Sequence, residues 1–545
     1  MLLMWFSQFL LLQNIVFVTS DNVLLTTPWS DSIVYPNILL DIASLLADHG
    51  HNVTFLALDT DDNIPDNIRY LVGNVSRTEK ILQRTEYLHE VAEASGALAG
   101  PSSRLITQSI VGSNKALEVN IEQLKIRFDY LMSKEVEDII RAGNFSLIIA
   151  DETAFHPIAL QTRKLMKQNQ EQPNQIPIIT VLSIADQHRS RIEQNLPTLL
   201  TSEAGQFLNL YTSYTPPDFN TRLTTLWEIG YFAWQVVPRI LSLFTGYLEE
   251  AGVGSLTELD NMTSLYLVND HPAISFSNLA PPNSVNIASL NFKTPRKVPQ
   301  HFTEFVEECG NRRVVMVVLE EVAYKSRLKK INQTVGKLIL ESLQKEGFCV
   351  VGQKLPSHFI NDQTFNSANL PVENILGSGM VSLFICQCGN KQRIQGVLYQ
   401  VPMLCVPLFA DQFSNSVSVV RNQFGAMLMR EEMSEETSSN SVKNVLEQWD
   451  DIKANLARSA SAVLDDPNGS KQAVLFYCNY LLKFGNADYL KNKVIMKQSV
   501  IQVYNLDILG LLTIILVVLG CFLFILMRTS FKFCGWFIQK KLKSD

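Results

Sequence analysis

The stretch with the clearest chemical potential runs from residue 381 to 425 and combines a glycine-containing turn with polar residues at a strand end. In chain order it contains an apolar strand pattern (381–385), the turn Gln387-Cys388-Gly389, a helical pattern (391–399), a second apolar strand pattern (403–408) and the pair Asp411-Gln412. A strand that leads through such a turn into a helix can place a phosphate on free backbone N–H groups. Any strand–helix–strand unit has the same pattern, so a nucleotide site and an ordinary structural unit are both open at this point.

A second candidate residue, Asp151, follows a buried strand pattern at Phe145–Ala150. Ligands bind beyond the carboxyl ends of strands in open α/β sheets, which makes an acidic residue there a candidate site residue. Helix N-capping is the alternative, because Asp is one of the favoured N-cap residues.

The elements that must position these residues alternate between strand and helix patterns. Strand patterns lie at 22–27, 53–58, 145–150, 176–182, 313–319 and 348–351, and helical patterns lie between Pro36 and Gly50 and near 329–345. This alternation predicts two parallel α/β domains with right-handed crossovers. The proline-rich stretch from Pro281 to Pro299 is the predicted domain boundary. Residues 190–260 predict helices, which either pack in the ordinary way, line an apolar pocket or touch a membrane surface.

Both ends of the chain carry apolar segments. Residues 1–20 predict a cleaved signal peptide without a basic start, and a retained anchor is the alternative. Ile508–Met527 is uncharged and long enough to cross about 30 Å of hydrocarbon as a helix. Its flanking tail is rich in lysine and arginine, which predicts a cytoplasmic tail and a single-pass type I protein with its bulk outside the cytosol.

The predicted division is therefore a signal peptide (1–20), an N-terminal domain (21–285), a C-terminal domain (286–485), a juxtamembrane segment (486–507), a transmembrane helix (508–527) and a tail (528–545). Asn-x-Ser/Thr sequons, which predict glycosylation, start at Asn52, Asn74, Asn144, Asn261, Asn332 and Asn468. Lys541 and Lys543 form either a dilysine retrieval signal for the endoplasmic reticulum or a basic membrane flank.

The composition argues against some kinds of partner and site. The net charge is −7 and no basic stripe stands out, which argues against nucleic acid as a partner. Eight cysteines in 545 residues do not predict a disulfide framework. The spacing of Cys386 and Cys388 is too tight for a zinc pair, so we predict no metal site.

Three motifs carry a resemblance to a known family. The pattern F-[IV]-x-H-G-G-x-N-S-x-x-E-x-x-x-x-G-V-P…P-x-x-x-D-Q-x-x-N is matched in register by Phe384, Ile385, Gly389, Val401, Pro402, Pro407, Asp411, Gln412 and Asn415. Leu370-Pro371 and Ile375-Leu376-Gly377 match the x-P and [IL]-L-G parts of W-x-P-Q…[IL]-L-G, and residues 50–54 match G-H-x-V-T. Over essentially its whole length the chain resembles the UDP-glycosyltransferases of animals, the glucuronosyltransferase-like family.

The resemblance implies a GT-B fold of two Rossmann-like domains plus one C-terminal transmembrane helix. It implies a UDP-sugar co-substrate with no cofactor, a small lipophilic acceptor, and an endoplasmic reticulum membrane address. Binding of a lipophile without transfer, or association in homo- or hetero-oligomers with active relatives, is a further expectation.

The residues that the resemblance assigns to acceptor activation are changed. The family's catalytic His aligns with Tyr35, and the Asp that orients this His aligns with Asp151. A phenol with a pKa of about 10 is a poor base near neutral pH, and loss of a positioned base costs about 10²–10⁴ in rate.

The positions implied for donor binding are also changed. The His-Gly pair at the diphosphate is Gln387-Cys388, the second Gly is kept as Gly389, the Asn-Ser pair is Lys391-Gln392, the ribose-binding Glu is Gln395, the Trp under uracil is Asn369, and the Gln of that motif is Val372. The S-x-G-[ST] turn ends here in Glu320-Glu321, and each carboxylate at about 5 Å from a diphosphate charge opposes binding by about 3 kcal/mol at an effective dielectric constant of about 20. The sequence thus predicts an impaired enzyme. The alternative is an active one in which Asp411-Gln412 hold the sugar and Asp151 or Tyr35 deprotonates the acceptor.

Overall fold

Two parallel β-sheets form the body of the computed structural model. It describes residues 20–27, 38–57, 64–72, 125, 128–152, 154–168, 176–183, 237–275, 280–295, 297–319, 335–408, 411–429, 432–467, 469–492, 494 and 498–541. Tyr35, the pair Glu320-Glu321 and all of residues 190–236 lie outside these residues.

The first sheet has seven strands in the order β3-β2-β1-β4-β5-β6-β7, all paired in parallel. The strands are β1 (Asn22–Thr27), β2 (Asn52–Ala57), β3 (Arg69–Val72), β4 (Leu147–Asp151), β5 (Ile178–Leu182), β6 (Thr263–Val268) and β7 (Ser284–Asn286). The helices of this half are α1 (Ile38–Asp48), α2 (Lys134–Gly143), α3 (Phe155–Gln168), α4 (Val237–Ala251) and α5 (Leu256–Asp260). The central strands are buried throughout, because helices cover both faces of a parallel sheet.

The second sheet has six parallel strands in the order β10-β9-β8-β11-β12-β13. The strands are β8 (Val314–Val318), β9 (Cys349–Gln353), β10 (Thr364–Ser367), β11 (Leu383–Cys386), β12 (Met403–Cys405) and β13 (Gly425–Met427). The helices are α6 (Gln300–Cys309), α7 (Val335–Lys345), α8 (Val372–Leu376), α9 (Asn390–Leu398), α10 (Gln412–Arg421), α11 (Glu435–Glu447), α12 (Trp449–Leu464), α13 (Ser470–Phe484), α14 (Val500–Val503) and α15 (Leu506–Lys541). Two Rossmann-type sheets with a C-terminal apolar helix confirm the predicted fold class.

The helix α13 returns to the first sheet, although its position in sequence places it in the predicted C-terminal domain. Val474, Cys478 and Leu481 are buried in the same apolar cluster as β1 and α1. The Ser470 hydroxyl accepts a hydrogen bond from the Ser289 backbone N–H at 3.1 Å. The two sheets are therefore tied together by the last helix of the body as well as by the segment that connects them.

The helix α15 has a different environment. Its segment Leu506–Lys532 has a mean hydropathy of 3.1 over its most apolar window and is 0% buried against the rest of the protein. By length and composition this helix can cross a membrane.

Two disulfides correct the interpretation of the cysteines. Cys309 at the end of α6 is bonded to Cys349 at the start of β9, and Cys388 in the turn after β11 is bonded to Cys405 at the end of β12. The prediction of no disulfide framework is wrong for the second domain. The spacings along the chain, 40 and 17 residues, carry no pairing signal, because the partners meet only after neighbouring strands have paired.

Candidate functional site

The turn between β11 and α9 is held in a conformation that its sequence does not favour. Cys388 has a φ of 57°, in the left-handed region where glycine is the usual residue. Its disulfide to Cys405 fixes the turn to the neighbouring strand. The free thiol of Cys386 lies 3.5 Å from the Cys388 sulfur, and burial raises the pKa of Cys386 to about 12. The thiol therefore stays protonated beside the disulfide.

The start of α9 is occupied by a carboxylate of the same chain. The Asn390 backbone N–H donates to the Asp411 Oδ2 at 3.2 Å, and the Asn415 Nδ2 donates to the same oxygen at 2.7 Å. The first N–H groups of a helix and its dipole attract an anion, and Asp411 occupies one of these groups, the Asn390 N–H, from within the chain. The Gly389 N–H donates to the Gln392 Oε1 at 3.3 Å, which uses a second donor of the turn.

Burial dominates the electrostatics of Asp411, whose side chain is 4% exposed. Loss of solvation raises its pKa to about 6, while the hydrogen bonds from Asn390 and Asn415 and the charge of Arg393 act in the opposite direction. Near neutral pH the site therefore carries a buried negative charge, which opposes the approach of a diphosphate to the same N–H groups.

Two side chains from α9 cross from the second domain to the first. The Asn390 Nδ2 donates to the Ser183 carbonyl at 3.1 Å and to the Asn269 carbonyl at 2.7 Å, just beyond the ends of β5 and β6. The Arg393 Nη2 lies 2.9 Å from the Asp270 Oδ1, and both side chains are less than 5% exposed. Arg393 also donates to the Asn390 Oδ1 at 2.7 Å and to the Ser418 hydroxyl at 3.1 Å. The carboxyl ends of the two sheets are thus joined by a buried polar network.

Sequence reasoning missed Asn390, Arg393 and Asp270. The two α9 residues stand at variable positions of the family pattern, so the resemblance assigned them no role. One feature could have drawn attention to Arg393. It stands next to Ile394 in a helix of which most residues are buried. A charged residue in such a place requires a buried partner, and the partner cannot be named from sequence because it lies 123 positions away.

The remaining residues that the resemblance predicts for UDP-sugar binding also contact the protein itself. The Gln392 Nε2 donates to the Val318 carbonyl at 3.2 Å, and the Gln395 Nε2 donates to the Glu373 Oε1 at 3.2 Å. The Gln412 Oε1 accepts from the Leu408 N–H at 2.9 Å. The structure therefore brings Gln387, Gly389, Gln392, Asp411 and Gln412 together around one turn, with Gln395 one helical turn further along α9.

The space beside Gln395 is small. A cavity of about 20 Å³ between the domains is lined by Asn269, Ala288, Asn291, Phe292, Glu373, Lys391, Ile394, Gln395, Leu398 and Tyr399. Such a volume holds about one water molecule, whereas small-ligand pockets measure about 300–1,000 Å³. Asn369, at the position of the uracil-stacking Trp, is exposed, and Val372 is half-buried.

Asp151 lies at the end of β4 in the first domain. Its Oδ2 accepts from the Thr27 hydroxyl at 2.5 Å and its Oδ1 accepts from the Ala154 N–H at 2.8 Å, and the side chain is 1% exposed. The second contact favours the N-capping alternative, since α3 begins at Phe155. Tyr35 lies outside the described residues, so its assignment to the position of the catalytic base stays a prediction.

Comparison with known proteins identifies the class to which this fold and site belong. The profile of the family described as "UDP-glucoronosyl and UDP-glucosyl transferase" matches residues 248–544, which is more than half of the 545-residue chain. The chain is 24% identical over 489 residues to UDP-glucuronosyltransferase 3A1 of Bos taurus, covering 87% of each chain. It is 24% identical over 487 residues to UDP-glucuronosyltransferase 3A2 of Homo sapiens, covering 86% of each.

Among solved structures, the fold resembles that of the glycosyltransferase VinC in complex with DTDP, with a TM-score of 0.52, 14% identity, and coverage of 85% of this chain and 99% of that one. It also resembles Phytolacca americana UGT2 complexed with UDP-2fluoro-glucose and pterostilbene, with a TM-score of 0.51, 10% identity, and coverage of 85% and 100%. The chain belongs to the UDP-glucuronosyl and UDP-glucosyl transferase family.

Proposed function

We propose that this chain is a catalytically impaired member of its family, in which binding of a UDP-sugar and transfer of its hexosyl or glucuronosyl group to a lipophilic acceptor are lost or strongly weakened. The observation that carries the proposal is the filled N-terminus of α9, where Asp411 accepts from the Asn390 N–H. The resemblance assigns the phosphates to this turn, and a diphosphate would have to displace a buried carboxylate there.

The interdomain network supports the same proposal. Arg393 and Asn390 join α9 to the ends of β5 and β6, across the crevice that an α/β ligand would enter. Opening this crevice would separate the buried ion pair of Arg393 and Asp270 and break the hydrogen bonds of Asn390 to the first domain. A donor that needs an open crevice would have to offset the loss of these contacts.

The second candidate is an active transferase with rearranged chemistry. It is favoured by the retention of Asp411-Gln412, which meet the sugar in the family pattern, and of Asp151 at a strand end. In this reading Asp411 must turn from α9 toward a sugar hydroxyl, and Asp151 or Tyr35 must take the acceptor proton. Turnover would then fall sharply in Asp411→Ala.

A donor screen with phenolic and steroidal acceptors, on membranes that contain the full chain, tests the two candidates. The impaired account predicts no product from the wild type and none from Tyr35→His, because the donor turn is changed as well as the base. Product from Tyr35→His alone would show that the donor site works, which contradicts the donor half of the proposal.

Tyr35→Phe is the matched control, since it removes only the phenol hydroxyl. If the wild type makes product and Tyr35→Phe does not, Tyr35 is the base of an active enzyme and the impaired account fails.

For location we propose a single-pass protein of the endoplasmic reticulum membrane with its body in the lumen and α15 as the anchor. The apolar length of α15 supports the anchor, and the basic tail supports this orientation. The disulfides Cys309–Cys349 and Cys388–Cys405 support an oxidising compartment for the body. The sequon residues Asn52, Asn144 and Asn261 are exposed, as glycan attachment requires.

The signal peptide, the lipophilic ligand and association with active relatives remain parts of this proposal. The signal peptide accounts for the lumenal body. A lipophile is the ligand class that the family resemblance implies for the first domain.

A further inference from the structure

The helix α13 presents two different faces. Its inner face packs on the first sheet through Val474, Cys478 and Leu481, which are at most 1% exposed. On another face, Phe476, Tyr480 and Phe484 follow at intervals of four residues, which places them on one side of the helix. Phe476 is 63% exposed and Phe484 is 54% exposed.

These aromatic rings form a continuous surface with Tyr489, which is 68% exposed. The ring centroids are 6.2 Å apart for Phe476 and Tyr480, 4.6 Å for Tyr480 and Phe484, and 6.0 Å for Tyr480 and Tyr489. We call Phe476, Tyr480, Phe484 and Tyr489 the aromatic patch. Contiguous exposed apolar surface of this kind marks a site of interaction with another molecule or a membrane.

The chemistry of the patch fits the head-group layer of a bilayer. Aromatic rings are enriched at the membrane–water interface, and tyrosine joins an apolar body to a polar tip. The Lys483 Nζ lies 5.2 Å from the Phe484 ring centroid, and Lys471 on the same helix is exposed. Lysines beside interfacial aromatics are attracted by anionic lipid head groups.

The segment between the patch and α15 is short, which keeps the patch near the membrane that α15 can cross. Lys491 is tied back to the body, because its Nζ donates to the Asn261 carbonyl at 2.8 Å. From residue 492 the chain reaches α15 at Leu506 through a segment that includes the short helix α14, so its span is about 40 Å at most. Val494 and Ile501 in this segment are also apolar and exposed, at 70% and 54%.

We propose that the aromatic patch rests in the head-group layer of the bilayer that α15 crosses, so that the body lies on the membrane surface. This inference rests on the proposed anchor and is independent of donor binding and of which side of the membrane the body occupies. Because α13 packs on the first sheet and follows the second domain in sequence, docking of the patch sets the orientation of both domains.

The test uses the full chain in nanodiscs with about one-third anionic lipid, which supply a defined surface. A small dye is attached through a non-natural amino acid at position 476, with position 360 as the matched control, because Ile360 is 47% exposed on the second domain. Quenching is measured with nitroxides on lipid head groups and with iodide in water. Position 476 should be quenched by the lipid nitroxide at least twice as strongly as position 360, and should be less accessible to iodide.

Either of two results would overturn the proposal. Free access of iodide to position 476 without lipid quenching would show that the patch faces water. Protection of position 476 from both quenchers would show that protein, such as a second copy of the chain, covers it. A dye at position 516 reports the anchor separately, since its quenching by deep acyl-chain nitroxides requires insertion of α15.

A double variant tests whether the aromatic rings themselves hold the patch on the lipid. With the dye at position 483, Phe476→Ser/Phe484→Ser should reduce lipid quenching at least two-fold without changing the melting temperature, because the inner face of α13 is untouched. Ile360→Ser is the control and should leave the quenching unchanged. Equal lipid quenching in the double variant and the wild type would contradict the role of the rings.

Discussion

Asp411→Asn gives the sharpest test of the filled helix terminus. The variant keeps the shape of the side chain and an oxygen that can accept from the Asn390 N–H, but it removes the buried charge. The pKa of Asp411 rises from 3.8 to about 6 on folding, mainly because the carboxylate loses its solvation. A shift of about two units corresponds to about 3 kcal/mol between the two protonation states.

The sign follows from proton linkage. Because the pKa is higher in the folded than in the unfolded chain, the folded state binds the proton more tightly. The contribution to stability is complete below about pH 4, is lost as the pH rises toward about 6, and is absent above that pH. Asp411→Asn has no such dependence, so its stability relative to the wild type should rise by about 3 kcal/mol between pH 4 and pH 7.

Thermal unfolding of the purified full chain in detergent, at half-unit steps from pH 4 to pH 7, measures this difference. For a domain of about 200 residues, 1 kcal/mol shifts the melting temperature by about 2–4 °C, so the variant should gain about 6–12 °C on the wild type over this range. Asp138→Asn, at an exposed position on α2, is the control for the change in net charge and should give no such gain. A pH-independent difference for Asp411→Asn would refute the reasoning, because Asp411 would then be solvated and the α9 terminus open to an external anion.

Three further predictions concern the joint between the domains, the turn and the location of the body. Arg393→Met and Asp270→Asn should each destabilise the protein by about 3–5 kcal/mol, as measured by denaturant unfolding. A double variant with apolar replacements of similar size should recover much of this loss of stability. Additive losses would show that the two side chains are not coupled. Peptide mapping under non-reducing conditions should recover a peptide pair linked through Cys388 and Cys405. Recovery of both cysteines as free thiols would contradict the claim that a disulfide fixes the turn after β11. Asn144→Gln should remove one glycan, seen as a mobility step abolished by endoglycosidase treatment, and a wild type unaffected by the enzyme would contradict the lumenal body.

Sequence patterns predicted most of the central strands, which are buried on both faces. The segments at 22–27, 176–182 and 313–319 contain consecutive apolar residues, and the structure confirms β1, β5 and β8 within them. The strands β3, β6, β7, β10 and β13 were missed. Four of them, β3, β7, β10 and β13, are three or four residues long, lie at the sheet edges and are not fully buried, so they leave little periodic signal. The strand β6 is the exception, because it is six residues long and buried throughout.

The candidate site shows a different limit of sequence reasoning. The motif identified the turn at Gly389 and the pair Asp411-Gln412, because these residues are close in sequence and stand in a recognisable register. It assigned Asp411 to a sugar hydroxyl, which stays a prediction, and it gave no sign that the same carboxylate accepts from the Asn390 N–H. Which hydrogen-bond donors a buried carboxylate meets depends on side-chain packing across strands, and this information is absent from residue spacing.

The contacts between domains were beyond prediction for a related reason. Arg393 and Asp270 lie in separate sheets, and their pairing depends on how the two domains are oriented. Hydrophobic periodicity reports which face of α9 is buried, but it does not report what lies opposite. The same holds for Cys388 and Cys405, which meet only because β11 and β12 are neighbours.

The most direct test of the central claim is calorimetric titration of UDP and UDP-sugars into the full chain in detergent, at pH 7, where Asp411 is ionised. The account predicts no saturable heat at micromolar concentrations, because the α9 terminus is filled by Asp411 and the crevice is joined by Arg393 and Asp270. A family member with the unaltered donor motif, titrated in the same detergent, provides the positive control. Micromolar binding of UDP to this chain would contradict the account and would favour the active transferase.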